Sequence, residues 1–388
     1  MRYFFAVLLF IYASGGTFAQ KPDVKKQFNF ARQQTEYMLE EMAKSDAKPD
    51  QVSPRTFENG KIRKVVSKDW TSGFFPGILW YLYEYTGNRK WLEQARLYTS
   101  KLEKEQYNKG THDLGFMMYC SYGNGYRLTG DEGYKNVIVQ SAKSLSTRFN
   151  PKTGLIRSWD HHEDVWKFPV IIDNMMNLEL LFEATRISGD SSFYKIAVRH
   201  ADNTLKNHFR SDFSSYHVVD YDPETGAVRK KMTHQGYADE SAWARGQAWG
   251  LYGFLICYRE THNPVYLEQA EKISSFIFNN PALPEDLVPF WDYSAAGKPG
   301  EPRDVSAAAI TASALYELAG YSKNADYRKK ADKILGNLGR SYQSPAGQNG
   351  GFILIHSTGH KPANSEIDVP LTYADYYYLE ALLRSRKK

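Results

Sequence analysis

With 42% apolar and 15% aromatic residues, the 388-residue chain carries too much apolar side chain for disorder and enough for a large core. Lys and Arg outnumber Asp and Glu only 49 to 44, and no basic run or aromatic-interleaved basic strip occurs, which argues against nucleic acid while leaving an anionic small molecule acceptable. Cys120 and Cys257 lie in apolar segments without CxxC or Cys/His spacing, a pattern of buried free thiols.

The chain opens with a basic Arg2, an apolar run from Tyr3 to Tyr12 and small residues up to Ala19. This predicts a secretory signal over residues 1–20 and an exported, periplasmic domain over 21–388, free of the membrane once the signal is cleaved. No later stretch approaches the roughly 20 apolar residues of a membrane span.

Val24 to Ser45 reads as a helix, with Phe28, Ala31, Met38 and Met42 spaced among charged residues. A loop bearing Pro49, Pro54 and Gly60 follows, and Asp69, Thr71 and Ser72 are placed to cap a helix ending near Tyr85. From there a motif recurs: TGNRKWLEQA at 86, TGDEGYKNVIVQSA at 129, SGDSSFYKIAVRHA at 188, THNPVYLEQA at 261 and YSKNADYRKKA at 321. Each copy follows an apolar helix and opens an amphipathic one.

Counting both kinds predicts twelve helices, the last near Leu371 to Arg384. AWARGQAWGLYGFLIC (Ala242 to Cys257) is apolar nearly all round and must be buried, whereas PVYLEQAEKISSFIF (Pro264 to Phe278) has one apolar stripe and one polar face. Six such alternations imply an all-α chain of two concentric rings, an (α/α)6 barrel of six inner and six outer helices. The spacing is too long and irregular for a 34-residue solenoid repeat.

Antiparallel alternation points all six inner helices one way and gathers their N-terminal ends on one rim. That rim collects Asp69 and Trp70, His112 and Asp113, Asp173 and Asn174, His234 to Arg245, Arg303 to Ser306 and Ser365 to Thr372. Inserts carrying Trp159, His161, His162 and His217 should cover the same face. Free N–H groups at helix starts favour a carboxylate ligand there. The chemistry concentrates in two acids. Asp173 sits amid apolar residues in VIIDNMMNLELL, and Asp113 follows His112 in THDLGFMM. Each is either an N-cap or a working carboxylate; burial among Ile171, Ile172 and Met175 would hold a proton on Asp173 near neutrality, as a general acid requires.

No metal or other cofactor is indicated. HExxH is missing, adjacent His161 and His162 are poorly placed to share an ion, GNGYRL at Gly123 lacks the third glycine of a dinucleotide loop, and no GxSxG elbow occurs. A carboxylate pair beside Trp70, Trp159, Trp243 and Trp249 favours carbohydrate chemistry, since indole faces stack on sugar rings, although core packing is the commoner work of any one tryptophan.

Three long segments, HDLGF with SYGNGYRLTGD, IIDNMMNLELLFEA and THQGYADESAWARGQAWGLYG, resemble the unsaturated glucuronyl hydrolases of glycoside hydrolase family 88. WTSGFFPG, RDVSAAAITASALYEL and DYYYLEALLR extend the resemblance over nearly the whole mature chain. It implies an (α/α)6 barrel that hydrates the C4=C5 enol ether of the unsaturated uronic acid left at the non-reducing end by polysaccharide lyases. The substrate would be a small anionic, glycosaminoglycan-type oligosaccharide. The family's catalytic aspartates fall on Asp113 and Asp173. By the same resemblance Asp173 donates the proton to C4, Asp113 holds ring hydroxyls, His112 and Asn174 orient the acids, and His217, Gln235 and Arg245 contact sugar or water. Trp70, Trp159 and Trp249 would be stacking walls; Arg245 reads equally as a buried ion pair, and His217 as a satisfied loop histidine. In HSTGHK, Ser357, His360 and Lys361 could meet a sulfate or simply form an exposed polar loop. The rivals are an unsaturated rhamnogalacturonyl hydrolase, an inverting glycosidase or lyase on the same barrel, and a silent glycan-binding barrel.

Overall fold

In the computed structural model, which describes residues 21–44, 48 and 50–387, the chain alternates between two rings of helices. The signal reading falls on residues 1–20, outside the described residues. The outer ring is α1 (Val24–Lys44), α3 (Arg89–Ser100), α5 (Glu132–Ser146), α7 (Ser191–Asn207), α9 (Pro264–Asn279) and α11 (Asp326–Ser341). The inner ring is α2 (Phe74–Thr86), a π-helix (Gly115–Gly123) that runs on into α4 (Asn124–Thr129), α6 (Asn174–Ser188), α8 (Ala244–Thr261), α10 (Val305–Tyr321) and α12 (Thr372–Ser385). Each inner helix packs on the next, and α12 closes on α2, so the ring has no open side. This is the (α/α)6 barrel.

Burial follows composition. On α10 every residue from Val305 to Tyr316 is buried, whereas α11 buries a stripe of Tyr327, Ala331, Ile334, Leu335 and Leu338. The recurring motif is the corner that turns an inner helix into an outer one. At Gly87, Gly130, Gly189 and His262 the inner helix ends on a left-handed residue, and the next residue, Asn88, Asp131, Asp190 or Asn263, caps the outer helix with its side chain. The Thr or Ser before each corner donates its hydroxyl to the carbonyl four residues back and accepts from the N–H of the capping residue. Each corner thereby satisfies donors and acceptors that helix ends leave free, and each cap contributes about 1 kcal/mol. The fifth copy departs: α10 ends on an extended Ser322 and α11 starts after Ala325 without a side-chain cap.

Strands were not expected, and three small sheets cover the active rim. The stretch read as a loop around Pro54 and Gly60 is a hairpin of β1 (Gln51–Glu58) and β2 (Lys61–Val66). Its turn is Asn59-Gly60, both at positive φ (52° and 72°), the signal for a two-residue hairpin, and bulges absorb Pro54. A short pair, β3 (Phe149–Asn150) with β4 (Leu155–Ile156), and a three-stranded sheet of β5 (Pro169–Ile171), β6 (Val218–Tyr221) and β7 (Val228–Met232) order the inserts. Asp69 does not cap α2, whose N-cap is Gly73; its Oδ1 instead accepts from the Thr71 N–H and hydroxyl. Cys120 and Cys257 are free and buried.

Candidate active site

Asp173 reaches the rim by way of β5. Antiparallel pairing of Ile171 with Val218, continued by the Ile172 N–H donating to the His217 carbonyl at 3.1 Å, places Asp173 beside His217. Asp173 is the N-cap residue of α6, yet its backbone is already helical (φ −56°, ψ −28°) and its side chain caps nothing. The carboxyl turns into the barrel mouth instead, 7% exposed, with Oδ2 unpartnered among the described residues. Burial lifts its pKa to about 7; Arg245 pulls it down, Asp113 pushes it up, and the Trp249 indole N–H favours the charged form without completing a hydrogen bond. A carboxyl so placed keeps its proton near neutrality.

Asp113, just ahead of the π-helix, also points into this mouth. Its Oδ2 accepts from the Thr111 hydroxyl at 3.0 Å, and Oδ1 lies 3.4 Å from Nε2 of His112, which is fully buried and shifted toward its neutral form by desolvation. The two acids line one cavity of about 190 Å³ together with Trp70, His112, Trp159, Gln235 and Arg245.

The other expected residues lie behind that surface. Asn174 is buried and donates to the Ile156 carbonyl. His217 accepts at Nδ1 from the N–H groups of His234 and Gln235, both at 3.1 Å, which leaves the proton of the neutral ring on Nε2, 3.9 Å from Oδ2 of Asp173. Arg245 is the buried ion pair and a cavity residue at once: Nη1 donates to Asp304 and the Thr358 carbonyl, Nη2 to the Gly359 carbonyl, and the guanidinium lies 4.4 Å over Trp243. Trp249 is not a stacking wall. It is 0% exposed, wedged against Phe116 and Tyr377 in the barrel core beneath the acids, where an all-round apolar helix such as α8 must bury it. In HSTGHK, Ser357 is buried and Lys361 is bound to Glu301 at 2.7 Å, while His360 lines the cavity and contacts the His234 carbonyl.

Sequence reasoning missed Arg55 and Tyr373, and placed Glu366 on the rim only as part of Ser365 to Thr372, without a role. Arg55 comes from the unexpected hairpin and grips Glu366 with two nitrogens, at 2.6 and 2.8 Å, and Asp69 with a third at 2.9 Å, beside Trp70. Glu366 sits at positive φ in a segment with no periodicity, and Tyr373 packs 5.0 Å from Trp70. His161, His234 and His360 complete the mouth. Among the described residues, no group of three or more His, Cys, Asp or Glu is arranged to hold a metal ion. A larger cavity of about 490 Å³ opens at the opposite rim, where three of its cations are paired, Arg127 to Glu84 and Arg259 and Arg384 to Glu317.

The profile of Glycosyl Hydrolase Family 88 matches residues 41–380. The chain belongs to that family. As a member it is a glycosidase acting on small oligosaccharides. It is 52% identical over 327 residues to the unsaturated glucuronyl hydrolase of Formosa agariphila, covering 84% of this chain and 82% of that one. It is 34% identical to the unsaturated chondroitin disaccharide hydrolase of Streptococcus agalactiae, covering 86% and 85%. A crystal structure of an unsaturated glucuronyl hydrolase specific for heparin superposes with a TM-score of 0.88 at 47% identity, over 93% of this chain and 96% of that one. The family 88 barrel thus agrees with the helix count.

Proposed function

We propose that this family 88 glycosidase releases a 4,5-unsaturated glucuronic acid from the non-reducing end of lyase-generated, glycosaminoglycan-type oligosaccharides by hydrating its enol ether. The protonated Asp173 gives its proton to C4. Water adds its oxygen at C5 and returns a proton to the Asp173 carboxylate, so the acid is regenerated and one water is consumed. The resulting hemiketal opens to a C5 ketone, which turns C1 into a hemiacetal bearing the second sugar, and that hemiacetal expels it. Asp113, beside a neutral His112, holds ring hydroxyls, and the Nε2–H of His217 and the amide of Gln235 orient the water. Trp70 and Trp159 bracket the ring, and the Nε of Arg245, unpartnered among the described residues, together with the inner-helix N-termini, meets the uronate carboxylate.

The observation that carries this reading is a carboxyl titrating near 7 in the same small cavity as a second carboxyl. Protonating an enol ether needs such an acid. The relatives named for glucuronyl, chondroitin and heparin substrates support the glycosaminoglycan class, and the apolar segment at residues 3–12 supports export to the periplasm. The test is to mix the purified protein with unsaturated disaccharides from heparin and chondroitin lyases and follow the ultraviolet absorbance of the conjugated double bond. Hydration makes it fall. A rise on intact polysaccharide would mean a lyase, and binding without change would mean a silent barrel; either result rejects the proposal.

A further inference from the structure

Both acids stand where a helix start ordinarily takes a side-chain cap, and neither caps. A free helix N-terminus in a buried rim is costly, so its N–H groups must find acceptors elsewhere. For the π-helix that carries Asp113, the acceptor comes from the neighbouring helix. The amide oxygen of Asn177, on the first turn of α6, accepts the Phe116 N–H at 2.9 Å, and its Nδ2 faces the Asp173 carbonyl at 3.5 Å. Asn177 is fully buried and touches the two acids' own backbone segments. Opposite it stands Gly115, where an added Cβ would lie 2.5 Å from Asn177 Cα and 2.6 Å from its Oδ1. The start of the π-helix is therefore pressed against the first turn of α6, with one amide between them.

We propose that Asn177 is a positioning residue for the hydration reaction: it caps the π-helix from α6, so that Asp113 is released from capping and held at a fixed separation from Asp173. This rests on the assignment of the two acids given above. The amide suits the place because it offers an acceptor to Phe116 and a donor to Asp173 without adding a charge between two carboxyls. The groups facing Asp173 from the surrounding elements are Asp113, His217, Arg245 and the Trp249 indole, and none of the recorded side-chain partners of Asp113, His217 and Arg245 is Asn177.

The experiment compares Asn177→Leu, which keeps shape and helix propensity but has no acceptor, with Asn177→Asp, which keeps an oxygen for the Phe116 N–H. With an unsaturated disaccharide from a heparin or chondroitin lyase, the leucine variant should lose roughly 10- to 100-fold in kcat, with a smaller rise in KM because Asp113 also holds ring hydroxyls, since misplacement of a reacting group by about 1 Å costs that much. The aspartate variant should recover most of that loss at pH 5–6. A folded leucine variant with wild-type kcat, or equal losses in both variants, would overturn the proposal. Asn177→Ala, which only removes atoms, is read the same way if the leucine variant does not fold. A crystal structure of the leucine variant tests the role independently of turnover. Asp113 should shift relative to Asp173 by about 0.5 Å or more in that variant, and superposable acids would overturn the role even if the wild-type enzyme proved to act on another sugar.

Discussion

His217 Nε2 stands 3.9 Å from Asp173 Oδ2, and neither atom has a hydrogen-bond partner among the described residues. The other nitrogen of His217 is fixed by two backbone N–H groups, and burial, with His234 and Arg245 nearby, keeps the ring neutral well below its usual pKa. His217 therefore aims a fixed N–H at the Asp173 carboxyl from 3.9 Å. Because the histidine does not titrate in the working range, the alkaline limb of the rate belongs to Asp173.

The first expected outcome is a kcat for an unsaturated disaccharide that is level at mildly acidic pH and falls about tenfold per pH unit above about 7, as the proton on Asp173 is lost. Stopped assays across pH 5–9 measure it directly. Activity that stays level to pH 9 would remove Asp173 as the proton donor.

Asp173→Asn should keep the fold and lose on the order of 10²- to 10⁴-fold in rate. Its stability should change with pH in a defined direction. The carboxyl titrates near 7 in the fold, against about 4 in the unfolded chain, so its ionisation opposes folding. The group's stability contribution is fully present below pH about 4, declines as pH rises from there through about 7, and is lost above. Asparagine escapes that loss. The variant should be more stable than wild type at pH 8, by roughly 1–4 kcal/mol, and show no such advantage at pH 4. Thermal melts of both proteins at the two pH values decide it, and an equal difference at both would mean that Asp173 ionises freely.

Besides its proposed contact with the uronate carboxylate, Arg245 has two separable effects. It supports the rim through Asp304 and the carbonyls of Thr358 and Gly359, and it lowers the pKa of Asp173. Arg245→Met should cost about 3–5 kcal/mol, since it leaves the buried Asp304 without its cation. In whatever fraction folds, the alkaline limb of kcat should move to higher pH. A pH–rate profile of the folded fraction tests this, and an unmoved limb would assign Arg245 to structure alone.

The barrel was legible because its signals are local and repeated. The corner motif writes a left-handed end and a side-chain cap into consecutive residues, and burial all round marks α8 and α10 as inner helices. The acids were legible for a related reason: Asp113 and Asp173 are single charges at the edges of apolar runs. Arg55 was not, because its place depends on a hairpin whose Pro54 suggested a loop and on an ion pair 311 residues away with Glu366. Trp249 was misplaced because periodicity gives a helix its buried character but not the depth of a given side chain. The π-helix was also unforeseen; Gly115–Gly123 reads as an ordinary apolar helix, and nothing in its local sequence marks the wider turn it makes where it packs on α2, α5 and α6.

The tight seat of that π-helix gives a last prediction. At Gly73, the residue before α2, an added Cβ would lie 2.3 Å from the carbonyl oxygens of both Phe116 and Met117. Backbone atoms of a buried helix cannot step aside as a side-chain tip can, so Gly73→Ala should force α2 off the π-helix, cost more than about 2 kcal/mol, and displace Trp70 from the cavity with a rise in KM. Gly320 supplies the contrast. It lies in the last turn of α10, and nothing stands within 4 Å of an added Cβ there. Gly320→Ala should leave activity unchanged and be neutral or stabilising by up to about 1 kcal/mol, because alanine loses less backbone freedom on entering a helix. Urea melts of the two variants beside wild type check both signs, and a Gly73→Ala protein as stable as wild type would mean that the inner ring is not packed backbone to backbone at this point.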